Sequence, residues 1–244
     1  MTACDGGRTV ATIEHDLSVG ELGELHLDQR SGDLAIHGEE GRESVLLVVK
    51  LRAHRLSTAR DEDAKRSVRL GLSELGDGVG RILAGLDKPP VGYSLDVTAY
   101  VPSRVAMVIE DGSGDATITD IAALTIDDES GDLFIEDIAG GVYVSDDSGD
   151  LAIEGVLGDV DVSDGSGDIH IGGVEGSVEV RDASGDLHVA SVDGDVQIDD
   201  KSGDIVARDV GGAVIVSDRS GDIVIKNAGE ADILSDGSGD VVID

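Results

Sequence analysis

The chain of 244 residues is long enough for one or two domains. Its hydrophobic fraction of 40% argues against a wholly disordered protein despite a formal charge of −34, and its aromatic fraction of 2% requires an aliphatic core. Residues 1–110 hold 18 acidic and 13 basic residues, a net charge of −5, whereas residues 111–244 hold 34 acidic and 5 basic residues, a net charge of −29. This balance argues against nucleic-acid binding, which needs a cationic surface.

The N-terminus has two interpretations. Nothing near Met1 forms the apolar segment of a signal peptide, and no run of 18 apolar residues predicts a transmembrane helix, so the chain as it stands is expected to be soluble and cytoplasmic. The sequence Met1-Thr-Ala-Cys4 is also similar to the end of a bacterial lipoprotein cleavage box, which would make the protein a cell-envelope lipoprotein. Cys4 is the only cysteine, so an intrachain disulfide is excluded.

Residues 1–110 are predicted to form divergent first coils and a cap. A short helix is expected at 61–66, and Gly76-Asp-Gly78 predicts a hairpin turn. Caps of this kind cover the open strand edge at the end of a solenoid. Alternating apolar residues predict strands at 25–27, 31–36, 45–51, 68–75, 79–86, 93–101 and 105–109.

An 18-residue repeat fills residues 111–244. Ser-Gly-Asp occurs eight times, first at 113–115, at one interval of 17 residues and then six of 18, and an aspartate stands two residues before each serine. In each Asp-x-Ser-Gly-Asp unit, two apolar-polar runs such as 151–153 and 160–162 predict two strands, which leaves no room for a helix. Each unit is therefore predicted to form one coil of a single-stranded parallel β-helix of about eight coils, right-handed by the usual preference of parallel crossovers.

Stacked coils place equivalent residues in columns. Aliphatic residues such as Leu151, Ile169 and Leu187 are predicted to form inward columns that support the rod. The glycine of each Ser-Gly-Asp is predicted to adopt a positive φ, where a side chain would be strained.

The layout resembles a bacterial and archaeal adhesin-type β-strand-repeat family of unknown function, related to the head-GIN and toast-rack domains. The resemblance rests on Ser31-Gly-Asp-Leu-Ala-Ile36, on Tyr93-Ser-Leu-Asp-Val-Thr-Ala-Tyr-Val-Pro102 and on the Ser-Gly-Asp series. In the first of these coils, Gln29 replaces the leading aspartate. The resemblance implies a solenoid fold and a role in the cell envelope or in adhesion, and it supplies no catalytic residues.

Two aspartate columns are the candidate chemistry, and both are expected to lie outside the coil. The leading aspartates are Asp111, Asp128, Asp146, Asp164, Asp182, Asp200, Asp218 and Asp236. The closing aspartates are Asp115, Asp132, Asp150, Asp168, Asp186, Asp204, Asp222 and Asp240. Carboxylates about 4.8 Å apart repel by about 0.9 kcal/mol even in water, so the columns need an offsetting interaction. It is either hydrogen bonding to the turn backbone or Ca²⁺ bound between coils by carboxylate and hydroxyl oxygens.

Three further features of the sequence give weaker indications of local structure or binding. His170 and His188 share an outward column, either as two solvated histidines or at a spacing that could hold a metal. Asp232 lies where an inward valine is expected, so either the register slips and turns Ala231 and Ile233 inward or that coil is distorted. An apolar surface near the final strand predicts self-association through the C-terminal end. Its residues are Val206, Ile215, Val224, Ile233, Val241, Val242 and Ile243.

The sequence favours a non-enzymatic structural or adhesive solenoid that displays an acidic surface to a protein partner or to another copy. A calcium-binding module similar to a β-roll is one alternative, although the motif differs from the known calcium nonapeptide. An acidic mimic of nucleic acid is another, with two carboxylates per coil of about 4.8 Å against one charge per about 1.7 Å in DNA. An enzyme is disfavoured, because no carboxylate pair stands out from the columns and no long loop interrupts residues 111–244.

Overall fold

The computed structural model describes residues 7–54, 57, 60–88 and 91–244. The fold is an all-β solenoid of about 8 turns with coils of about 18 residues, an irregular N-terminal region and 3% helix, as the repeat predicts. Cys4, which ends the sequence similar to a lipoprotein cleavage box, lies outside the described residues. Within the described ranges, no helix is long and apolar enough to cross a membrane.

The N-terminal region contains the predicted helix and hairpin together with a strand that the sequence analysis did not identify. That strand, β1, pairs antiparallel with β4, and β5 pairs antiparallel with β6 in the hairpin. The elements are β1 (Arg8–Ser18), β2 (Glu24–Gln29), β3 (Leu34–Glu39), β4 (Ser44–Ala53), α1 (Asp61–Ser67), β5 (Val68–Gly76), β6 (Val79–Leu86), β7 (Tyr93–Pro102) and β8 (Ala106–Asp111).

The regular coils follow, each built from two short strands that pair in parallel with the same strands of the neighbouring coils. Leu151 pairs with Ile169, and Val160 pairs with Val178, each one repeat apart. The strands are β9 (Ala116–Thr119), β10 (Ala123–Asp128), β11 (Leu133–Ile138), β12 (Val142–Asp146), β13 (Leu151–Val156), β14 (Val160–Asp164), β15 (Ile169–Val174), β16 (Val178–Asp182), β17 (Leu187–Val192), β18 (Val196–Asp200), β19 (Ile205–Ser217), β20 (Ile223–Ser235) and β21 (Val241–Ile243).

The first coils are stacked in an order that differs from the order of the chain. β2 pairs in parallel with both β6 and β8, and β3 pairs in parallel with both β7 and β9. The coil formed by β2 and β3 therefore lies between the later coil of β6 and β7 and the first regular coil. Strands from both sides of residue 110 share this stack, and the division of the chain into two domains at that residue stays a prediction.

The core consists of the predicted aliphatic columns. Alternate residues of each strand face inward, so that Val160 and Val162 of β14 and Leu187 and Val189 of β17 are almost fully buried. Each such side chain contributes roughly 1.5–3 kcal/mol on burial, and stacking repeats that contribution in every coil. The low aromatic content of the chain agrees with this narrow aliphatic interior.

A corner within each coil turns a further apolar residue inward. In β13 the corner lies at Gly155, with a φ of 71°, and Val156 after it is fully buried. The corner residues are small or polar types that tolerate a left-handed backbone. They are Asp120, Asp137, Gly155, Gly173, Ser191, Asp209 and Asn227.

The register between β19 and β20 shows how the solenoid accommodates Asp232. Val214 pairs with Ala231 and Val216 with Ile233, so the register slips by one residue and Asp232 lies opposite Ile215. The spacing returns to 18 at Ser217 and Ser235. The slip confirms the first of the two alternatives, in which Ala231 and Ile233 turn inward.

Candidate functional site

Each Asp-x-Ser-Gly-Asp motif forms the turn between the two strands of one coil. β14 ends at Asp164, and β15 begins directly after Asp168. The strand alternation that buries Val160 and Val162 continues to Asp164, which is 7% exposed. The leading aspartate therefore faces the interior of the coil.

The leading aspartates close the turns by hydrogen bonding. Oδ1 of Asp164 accepts a hydrogen bond from the backbone N–H of Ser166 at 3.2 Å, and Oδ1 of Asp182 accepts one from Ser184 at 3.0 Å. Asp128, Asp146, Asp200 and Asp218 make the same bond. Such a bond between an aspartate and the backbone two residues on is the usual way this side chain stabilises a tight turn.

The second oxygen of each of these carboxyls is buried without a hydrogen-bond partner among the described residues. Burial raises the pKa of Asp164 to about 7, with a further contribution from Asp182. It also raises the pKa of Asp111 to about 7 and of Asp128 and Asp200 to about 6. The unpartnered Oδ2 atoms belong to Asp111, Asp128, Asp146, Asp164, Asp182, Asp200 and Asp218.

The expectation that both aspartate columns lie outside the coil is therefore wrong for the leading column. Its members from Asp111 to Asp218 are at most 7% exposed, and only Asp236 in the last coil is exposed. The period of two along each strand was the signal that could have shown this, because it places the leading aspartate on the same face as the inward valines.

The first coil carries a neutral side chain at the leading position. Gln29 pairs in register with Asp111 and is 2% exposed. Its Nε2 atom donates hydrogen bonds to the carbonyl oxygens of Ser31 at 3.2 Å and Leu95 at 2.5 Å. An uncharged amide therefore fits this buried position.

Serine and glycine connect the turns of adjacent coils. The Ser184 hydroxyl donates to the carbonyl oxygen of Gly165 in the preceding coil at 3.3 Å. Gly185 has a φ of 147°, and a Cβ atom there would lie 1.7 Å from the carbonyl oxygen of Gly167. The predicted positive φ is confirmed, and the close approach of the preceding turn adds a second reason for glycine.

The closing aspartates form an exposed ladder, which we call the closing-aspartate ladder, from Asp115 to Asp240 in the closing position of each motif. Oδ1 of every carboxylate before Asp240 accepts a hydrogen bond from the backbone N–H of the next closing aspartate. The seven bonds measure 2.9–3.2 Å. A hydrogen bond to a charged group contributes about 1.5–3 kcal/mol, against about 0.9 kcal/mol of repulsion per step in water. Local hydrogen bonding therefore offsets the repulsion along this column.

Calcium binding remains a prediction for both columns. Ca²⁺ takes six to eight oxygen ligands, several of them from carboxylates. Across the described part of the chain, no group of three or more His, Cys, Asp or Glu side chains is placed to hold a metal ion. Oxygen donors are present in every turn, but the backbone already occupies one oxygen of most leading and closing carboxylates.

The histidine pair lies in the predicted outward column. The rings of His170 and His188 are stacked with centroids 4.7 Å apart and an angle of 2° between their planes. Nε2 of His188 is buried without a hydrogen-bond partner in the described structure, and burial lowers the pKa of this ring, with smaller effects of His170 and Arg208. His188 is therefore not the solvated histidine that one interpretation of the sequence expected.

The predicted C-terminal interface is only partly on the surface. Val241, Val242 and Ile243 are 40%, 45% and 51% exposed, whereas Val206, Ile215 and Val224 are half-buried. The outward placement of Ile233 is wrong, because the register slip packs it against the core. Leu234, which the sequence analysis did not select, is 67% exposed.

Comparison with known families covers most of the solenoid. The family model described as Toastrack DUF4097 matches residues 95–244, more than half of the chain. The chain belongs to this toast-rack family. The resemblance stated from the sequence is thereby confirmed, and the matched range contains the whole series of toast-rack coils from β8 to β21.

Solved structures have a similar fold at low sequence identity. A "putative adhesin" from Parabacteroides merdae is 12% identical with a TM-score of 0.60, covering 95% of this chain and 96% of that one. Another from Parabacteroides distasonis is 14% identical with a TM-score of 0.58 and covers 98% of both chains. A third from Bacteroides fragilis is 13% identical with a TM-score of 0.53 and covers 96% of both chains. Comparison with curated proteins gives no match.

Proposed function

We propose that this toast-rack solenoid is a non-enzymatic adhesion-type scaffold whose closing-aspartate ladder binds a cationic protein surface. The observation that carries the proposal is the ladder itself: eight exposed carboxylates in one line, seven of them each fixed by an amide of the next coil. A rigid row of like charges at a regular spacing offers electrostatic complementarity to a basic surface and accelerates association with it.

The repetition of the turns supports a scaffold over an enzyme. The same backbone and side-chain hydrogen bonds recur from coil to coil, so the individual motifs are chemically equivalent. Catalysis by carboxylates needs two groups whose environments set different roles. A binding surface, in contrast, gains from equivalent groups at a constant spacing.

The alternative function as a nucleic-acid mimic has less support from the charge spacing than the sequence predicted. Burial of the leading column leaves one ladder carboxylate per coil of about 4.8 Å, where two were expected. DNA carries one charge per about 1.7 Å. The ladder is therefore a sparser row of charge than a duplex, and a basic protein surface without DNA specificity is the partner we favour.

The test compares two triple variants with the same change in charge. The ladder variant carries Asp150→Asn, Asp168→Asn and Asp186→Asn, because asparagine keeps the oxygen that accepts the amide hydrogen bond and removes only the charge. The control variant carries Asp127→Asn, Glu136→Gln and Asp199→Asn at exposed positions outside the ladder.

Binding to an oligolysine peptide is measured by calorimetry across a range of salt concentrations. We expect the ladder variant to lose at least several-fold more affinity than the control variant, and the wild-type affinity to fall as salt rises. Equal losses in the two variants would show that net charge alone attracts the peptide, and the ladder would then not be the binding surface.

A further inference from the structure

The N-terminal cap contains a cavity where two neighbouring coils separate. β6 follows β2 from Val79 opposite Glu24 to Ile82 opposite Leu27, and β7 rejoins β3 at Val97 opposite Leu34. Between these points the cap coil has 14 residues (83–96), whereas the coil beside it has 6 (28–33). Residues 83–88 and 95 of the longer connection and residues 28–31 of the shorter one line a cavity of about 540 Å³, a volume within the usual range for small-molecule sites.

The apolar part of the cavity is aliphatic. Ile82, Ala84 and Leu95 line it and are each 2% exposed, while Leu83 beside them is 52% exposed and Leu86 is half-buried. None of the described residues that line the cavity is aromatic. Such a lining offers contact to a flexible hydrocarbon chain and no stacking partner to a planar ring.

The charged part of the cavity is cationic, in contrast to the rest of the molecule. Four basic and two acidic side chains line it, a net charge of +2 in a chain whose net charge is −34. Both acids are paired, Asp28 with Arg30 at 3.4 Å and Asp87 with Arg69 at 3.3 Å. The remaining cations are Arg81 and Lys88, for which the described part of the chain provides no ion pair.

We propose that this cavity binds a single-chain aliphatic carboxylate, the chemical class of the fatty acids. Arg81 and Lys88 would bind the carboxylate, and the tail would lie along Leu83, Leu86 and Leu95. A guanidinium group matches the planar geometry of a carboxylate, and one head group needs no more positive charge than these two side chains provide. The acidic solenoid repels anions elsewhere, so the cap is the part of the molecule with complementary charge.

The experiment measures the binding of dodecanoate, below its micelle concentration, to the full chain by calorimetry. Methyl dodecanoate has the same tail without the charge, and we expect it to bind at least about tenfold more weakly, because it lacks the charge-assisted hydrogen bonds. Dodecyl phosphate and an oligoglutamate peptide are measured in parallel, as anions of other classes.

Variants distinguish the contribution of the carboxylate head group to binding from that of the hydrocarbon tail. Arg81→Gln with Lys88→Gln should weaken dodecanoate about tenfold or more and leave methyl dodecanoate unchanged. Lys50→Gln with Arg66→Gln makes the same change in charge outside the cavity and should leave both ligands unchanged. Leu83→Gln should weaken both ligands, and urea unfolding of each variant verifies that the fold is intact.

Three results would overturn the proposal. The first is an absence of dodecanoate binding to the wild-type chain, and the second is an equal effect of the two double variants. The third is a tenfold preference for dodecyl phosphate or for oligoglutamate over dodecanoate, which would assign the cavity to phosphate-headed ligands or to acidic peptides. These outcomes are independent of oligolysine binding to the ladder, because the two sites share no residue.

Discussion

Oδ1 of Asp168 accepts a hydrogen bond from the backbone N–H of Asp186 at 3.0 Å, across the boundary between two coils. The carboxylate that closes one turn thus satisfies an amide of the next turn. Because the same bond recurs along the rod, the exposed aspartates contribute to coil stacking as well as to surface charge. Their role in stability is separable from their charge, which leads to the first prediction.

Replacement of Asp168 should depend on whether the acceptor oxygen is kept. Asp168→Ala removes the bond to Asp186 and is expected to lower the free energy of unfolding by about 1–2 kcal/mol. Asp168→Asn keeps an acceptor and lowers the repulsion from Asp150 and Asp186, so its stability should equal or exceed that of the wild type. Urea unfolding followed by circular dichroism measures both, and equal destabilisation by alanine and asparagine would contradict the hydrogen-bond explanation.

The glycine of the turn should tolerate no side chain. Gly185→Ala would place a Cβ atom 1.7 Å from a backbone oxygen of the preceding coil at a φ of 147°. We expect the free energy of unfolding to fall by roughly 4 kcal/mol or more, because the backbone of this turn or of the preceding turn must shift. Gly23→Ala is the control, since its Cβ atom would meet nothing within 4 Å, and a thermal melt of Gly185→Ala that matches the control would disprove the assigned turn geometry.

Because the leading aspartates are buried, we expect the fold to be more stable in mild acid than at slightly alkaline pH. The pKa of Asp164 is about 7 in the folded chain against an ordinary value of 3.8, so the folded state binds the proton more tightly and protonation favours folding. Each unit of difference corresponds to about 1.4 kcal/mol per group at most. This contribution is complete below about pH 4 and is lost as the pH rises through about 6 to 7.

Thermal melts at pH 5 and pH 8 check this prediction, and we expect the higher melting temperature at pH 5. Asp164→Asn should reduce the difference between the two values and should raise stability at pH 8, because a neutral amide replaces a buried charge, as Gln29 does in the first coil. A melting temperature that rises from pH 5 to pH 8 would show that the leading aspartates are ionised at little cost.

Calcium binding is tested by comparing ions at equal ionic strength. If Ca²⁺ binds between coils, millimolar CaCl₂ should raise the melting temperature above the value in NaCl, by mass action on the folded state. The variant with Asp150, Asp168 and Asp186 replaced by asparagine should lose most of that excess. The same melting temperature in both salts would leave only screening of the ladder.

If the chain self-associates through its C-terminal surface, replacing one exposed valine there should weaken the association. Val242→Lys should lower the sedimentation-derived mass at high protein concentration, because it places a charge in the apolar patch formed with Val241 and Ile243. Val91→Lys changes a valine that is 72% exposed in the N-terminal region and is the control. A monomeric wild-type protein at every concentration would refute the prediction.

Several features could be predicted because they depend on spacing along the chain. The interval between motifs gives the length of a coil, and the alternation of Leu151 and Ile153 with polar residues gives the inward face. The same alternation places Asp164 inward, against the general rule that an aspartate is seldom buried unless it is paired. The corner at Gly155 is also predictable from the sequence, since its column consists of Gly, Asp, Ser and Asn.

The sequence by itself determined the coil, its aliphatic columns and its turns, because each of these is fixed by residues within one repeat and by the register of identical neighbours. The tertiary structure alone decided the position of the β2–β3 coil between β6–β7 and β8–β9, since the order of strands depends on pairing between segments far apart in the chain. It also decided the cap cavity, where Arg81 and Lys88 meet an aliphatic lining. That juxtaposition depends on the pairing of β6 with β2 and of β7 with β3, which no local pattern encodes.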